Sequence, residues 1–71
     1  MKKAIGLAFC AIREQAGISQ REMADLIGIE QSLICRIETG KKHLRLEEAI
    51  VFCQATETKM EVFINVAETL S

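Results

Sequence analysis

Three glycines, Gly17, Gly28 and Gly40, each follow an apolar-periodic segment, the position at which a left-handed residue ends a helix. Between the first and last of them the chain reads GISQREMADLIGIEQSLICRIETG. Ser19 and Glu22 frame a capping box that starts a helix over residues 20–27. Met23, Ala24 and Ile27 form its apolar face, and Ala24 is small enough to let a second helix cross closely. A second helix follows over residues 31–39. Its N-cap is Glu30, a weak cap whose carboxylate still suits the helix dipole. The short turn Ile27-Gly28-Ile29 forces this helix steeply across its predecessor. Ile29, Ile34 and Ile37 then pack inside the angle with Ala24. Gln31, Ser32, Cys35 and Arg36 are left on the outer edge.

The rest of the chain fits around that pair. Ile5, Ala8, Phe9, Ile12 and Ala16 fall on one stripe of a helix over residues 3–16. Gly6 weakens its first turn by roughly 1 kcal/mol relative to alanine. A fourth helix spans residues 46–55, with Leu46, Ala49, Ile50 and Cys53 inward. A fifth spans residues 59–70, entered by a second capping box of Thr58 and Glu61. Alternation of Met60, Val62, Ile64 and Val66 leaves a strand over residues 58–70 as the competing reading. Hydrophobic residues make up 49% of the chain and aromatics only 4%, without Pro, Trp or Tyr, a mixture suited to packed short helices. The expected fold class is all-α, a compact bundle of five short helices forming one domain over residues 1–71.

Several function classes fall away. The opening residues have too short an apolar run for a signal peptide, and no stretch approaches the ~20 apolar residues of a membrane span. A soluble cytoplasmic protein without membrane contact is expected. Cys10, Cys35 and Cys53 are odd in number and lack metal-ligand spacing, so reduced thiols are expected and no metal. No paired carboxylates, phosphate loop or nucleophile–base pair can be found, so neither an enzyme nor a cofactor is expected. The net charge is −1, but its distribution matters more than its sum. Arg36, Lys41, Lys42 and Arg45 face Glu38 alone within residues 36–45, whereas residues 57–71 carry Lys59 against Glu57, Glu61 and Glu68. The positive charge is focused beside the exposed helix edge, and a rod of that shape fits the ~12 Å major groove of DNA.

With "GISQREMA", the turn glycine Gly28, "QSLICRIETG" and the basic loop behind it, the stretch resembles the Cro/repressor-type helix-turn-helix family, also called the XRE family. The likeness covers about residues 5–56 and implies the lambda-repressor-like fold. It also implies roles. Gln31 and Ser32 would contact base edges, with Arg36 reaching a guanine or phosphate and Cys35 a thymine methyl. Gln20 and Arg21 would grip phosphate at a helix N-terminus. Lys41, Lys42, His43 and Arg45 would hold the backbone beyond the groove, which fixes register without reading sequence. Arg13 and Glu38 resemble a pair that joins the first helix to the end of the third, worth ~0–1 kcal/mol if exposed. Glu30, Cys35 and Arg45 depart from the usual family pattern.

The resemblance implies a sequence-specific regulator that binds a near-palindromic double-stranded DNA operator as a homodimer. Met60, Phe63, Ile64, Ala67 and Leu70 are the expected dimer face, on the reasoning that four earlier helices already close a core; internal core is the other reading of that stripe. A protein-interaction module on the same fold, motivated by the acidic tail, is the alternative function.

Overall fold

The apolar periodicities resolve into five helices: α1 (Lys2–Gln15), α2 (Gln20–Ile27), α3 (Gln31–Glu38), α4 (Leu46–Ala55) and α5 (Met60–Leu70). The structure is a computed structural model that describes all 71 residues, and it contains no strand. No helix is long and apolar enough to cross a membrane. Residues 60–70 are helical because Phe63 and Ala67, four apart, lie on one face and are both buried. A strand there would also have had no second strand with which to pair its backbone groups.

The chain's three phenylalanines come from different helices and meet in the core. Phe9 of α1 stacks on Phe52 of α4 with ring centroids 4.1 Å apart, and Phe63 of α5 tilts against Phe52 at 5.4 Å. Met23, Ile34 and Ile37 complete the fully buried set and bring in α2 and α3. This packing gives Phe63 and Ala67, two residues of the expected dimer face, a place in the core. The first four helices leave Phe9 and Phe52 open on one side, and α5 covers them with Phe63 and Ala67, each 4% exposed. Those two residues are core of the single chain. Met60 is half-buried, while Ile64 and Leu70 remain exposed.

Other expectations shift for local reasons. On α4 the inward residues are Glu48, Ala49, Phe52 and Cys53, while Leu46 and Ile50 face out. Aromatic stacking selects the Phe52 face of a helix that is apolar on several sides. Ala16 is an exposed cap residue beyond the end of α1 rather than part of its stripe. The second capping box does not form. Lys59 is the N-cap of α5, and the Thr58 hydroxyl turns back to donate to the Thr56 carbonyl at 3.3 Å.

Gly6 has a different meaning from the one helix propensity gives it. It is buried where α1 crosses the end of α3, and a Cβ there would lie 2.2 Å from the Ile37 carbonyl oxygen. The missing side chain lets two backbones touch. At the turn, Gly28 adopts φ 84° and closes α2 by donating to the Ala24 carbonyl at 2.8 Å.

Candidate nucleic-acid interface

α3 is divided lengthwise. Ile34 and Ile37 are within 1% of complete burial, and they fix its inner side against the core. Gln31, Ser32, Cys35 and Arg36 are all exposed on the other side, as the sequence predicts. The helix starts at Glu30 without a side-chain cap. The amides of Leu33 and Ile34 return to the Glu30 carbonyl, which leaves the first amides of the helix, at Gln31 and Ser32, pointing out of its end. That end is electropositive and carries two hydrogen-bonding side chains.

α2 begins beside it through the predicted capping box. The Glu22 amide donates to Ser19 Oγ at 3.0 Å, and the Ser19 amide donates to Glu22 Oε1 at 2.9 Å. The bond from the Ser19 backbone, then the Ser19 hydroxyl, hold the Glu22 carboxyl below its ordinary pKa. Arg21 is exposed on the first turn, and Gln20 is half-buried.

Gln20 is half-buried because its carboxamide is engaged. Its Nε2 donates to Glu38 Oε1 at 2.9 Å. The same carboxylate receives Arg13 Nε at 2.5 Å and Arg13 Nη2 at 3.2 Å, while Arg13 Nη1 donates to the Ile18 carbonyl at 2.7 Å. The Arg13 and Glu38 side chains are only 9% and 6% exposed. The pair is therefore internal, and the small worth of an exposed pair does not apply to it. Burial raises the Glu38 carboxyl's pKa, but hydrogen bonds from Arg13, Gln20 and Cys10 and the Arg13 charge outweigh it, and the net shift is downward. Burial first, then the contact with Glu38, pushes the Cys10 thiol up.

The basic loop is less uniform than its sequence. Lys41 and His43 are exposed. Lys42 is turned inward, with its Nζ 3.2 Å from Oε1 of buried Glu48 and donating to the His43 carbonyl at 3.0 Å. Arg45 pairs with Glu47 at 2.8 Å, both largely exposed. The same Glu48 oxygen receives the Arg45 amide at 2.9 Å, which ties the loop to the first turn of α4. Lys3 is a cation the sequence reading missed. It is exposed, and its Cα lies 3.0 Å from where a Gly40 Cβ would stand, next to Lys41. No spacing signal links residues so far apart; the close backbone approach at Gly40 does.

A core-anchored helix with a polar outer edge, a capped helix leading into it and a cationic loop beyond define a helix-turn-helix DNA-binding domain. The helix-turn-helix family model matches residues 11–63, and the chain belongs to that family. Among solved structures, the chain is similar to the clp gene regulator ClgR from C. glutamicum. The TM-score is 0.89 at 22% identity, over 96% of this chain and 88% of that one. It is also similar to the restriction-modification controller protein C.AhdI from Aeromonas hydrophila. There the TM-score is 0.78 at 21% identity, over 86% of this chain and 92% of the other. At such identities these likenesses concern the fold. No curated protein matches the sequence.

Proposed function

We propose that the chain is a transcriptional regulator that binds a near-palindromic DNA operator as a homodimer, in the cytoplasm. The observation that carries the reading is the division of α3, with Ile34 and Ile37 sealed in the core and the Gln31, Ser32, Cys35 and Arg36 edge free to enter a major groove. Gln31 has the donor and acceptor needed for a bidentate contact to adenine, and Arg36 has the paired donors for guanine or a phosphate. Arg21 and Lys41 flank the edge as exposed cations for the backbone.

The proposed two-fold contact draws on α1, α4, α5 and the loop before α4, and on no residue of α3. Half of Ile64 and 73% of Leu46 are exposed, and they border an apolar groove of about 430 Å³ that Met1, Ile5, Leu44 and Met60 also line. A second copy meeting that face would set two recognition helices about one DNA turn apart, ~34 Å.

Selection of bound duplexes from a random pool tests the whole proposal. The expected product is a site with two inverted half-sites centred about 10 base pairs apart, bound with an affinity that falls steeply with salt. Absence of enrichment and of salt-dependent binding would favour the protein-interaction module instead. Ile64→Glu, judged by sedimentation, is expected to shift the chain to monomer while leaving its helix content unchanged.

A further inference from the structure

Glu38 closes α3, Arg13 lies near the end of α1 and Gln20 opens α2, so one buried carboxylate ties three helices together. We propose that Glu38 is a positioning residue for DNA-backbone contact, holding the Gln20 carboxamide with its nitrogen set to share a second hydrogen with a phosphate. The inference rests on the DNA-binding reading above.

The chemistry of the donors fixes the orientation. An ionised carboxylate can only accept, so the amide group that faces Glu38 is the NH2 and not the carbonyl. One hydrogen on Nε2 is used at 2.9 Å, and the other is free. Gln20 is the first residue of α2 and keeps part of its surface in solvent, so a ligand can reach that hydrogen. The outward amides of the same helix end also favour an anion there. Arg13 is what lets a phosphate approach a carboxylate at all. Its two-pronged contact at 2.5 and 3.2 Å balances the charge of Glu38, leaving a neutral pair behind the amide. Without Glu38 the carboxamide is free to rotate and present its carbonyl, which repels a phosphate. The expected contact is neutral, so it adds affinity without releasing a counterion.

The test is a double-mutant cycle on a duplex obtained by selection, with wild type, Gln20→Ala, Glu38→Gln and the double variant. Affinities are measured at two salt concentrations and at a temperature where circular dichroism shows all four folded. Each single change is expected to weaken binding by about three- to tenfold, as one hydrogen bond would. The double variant should bind no more weakly than the poorer single, and the dependence of affinity on salt should not change. A core variant, Ala8→Gly, should bind the duplex like wild type, which separates loss of positioning from loss of stability. Losses that multiply in the double variant, or a Gln20→Ala protein that binds like wild type, would overturn the proposal. If Glu38→Gln does not fold, the Gln20 side-chain amide protons in the wild-type NMR spectrum take its place. One proton should be shifted downfield before DNA is added and the other should move on titration; a pair untouched by DNA overturns the idea equally. Failure of the wild type to select any duplex would instead strike at the DNA-binding reading.

Discussion

Replacing Gly6 with alanine sets two physical effects against each other, and the structure says which prevails. Alanine is the better helix former by about 1 kcal/mol, so local propensity predicts stabilisation. At this site the new Cβ would stand 2.2 Å from the Ile37 carbonyl oxygen, 3.1 Å from that of Glu38 and 3.2 Å from the Glu38 carbonyl carbon. All three atoms are backbone, so no flexible side chain can yield. Relief requires α1 and α3 to part by about 1 Å, and overpacking of this kind costs about 1–3 kcal/mol. Taking the upper end for a backbone clash and subtracting the propensity gain leaves a net loss of about 2 kcal/mol. For a domain of this size that lowers Tm by about 8–16 °C. Thermal unfolding of Gly6→Ala followed by far-UV circular dichroism is the assay. A variant as stable as wild type, or about 1 kcal/mol more stable as propensity alone requires, would refute the close approach of the two helices.

Arg13→Met is expected to destabilise the fold by about 3–5 kcal/mol in denaturant unfolding, because it leaves Glu38 buried without its counter-charge. Wild-type stability should also fall on acidification. The folded state holds the Glu38 carboxyl below its ordinary pKa, so the unfolded chain takes up the proton first as pH drops through the usual carboxylate range. That contribution is intact above the unfolded value and gone below the folded one; unfolding midpoints measured against pH check it, and a profile identical in Glu38→Gln would contradict it. Lys41→Ala should reduce the slope of log affinity against log salt by ~1 without changing stability. Lys42→Ala should do the reverse, since its ammonium is committed to buried Glu48 and its loss strands that charge. Equal effects of the two lysines in paired salt titrations and melts would refute the division of the loop.

The helix-turn-helix was legible because its signals are local. A capping box at Ser19 and Glu22, a turn at Gly28 and apolar residues at helical spacing depend on near neighbours in the chain, and the structure contains them. The exposed edge of α3 followed from the same periodicity. What escaped the sequence was long-range. Whether Phe63 faces its own chain or another depends on whether Phe9 and Phe52 need a cover, and residues 60–70 do not contain that information. Leu46 and Ile50 were expected inside because α4 is apolar on more than one side, and only the position of the phenylalanine stack selects the buried face. Gly6 looks like a local weakness until the Ile37 carbonyl is placed against it. The charged residues show the same limit. Arg13, Glu38, Lys42 and Glu48 read as surface charge by type, yet each is wholly or partly withdrawn from solvent by a partner on another element or further along the chain.

The most direct test of the central claim, that the outer edge of α3 reads base pairs, compares how wild type and Gln31→Ala respond to every single base-pair change in the selected operator. Wild type should lose about 1–3 kcal/mol at each position it reads. Gln31→Ala should bind the intact operator more weakly and become indifferent to base identity at one position per half-site, with the remaining profile retained. Identical profiles for the two proteins, position by position, would contradict the claim.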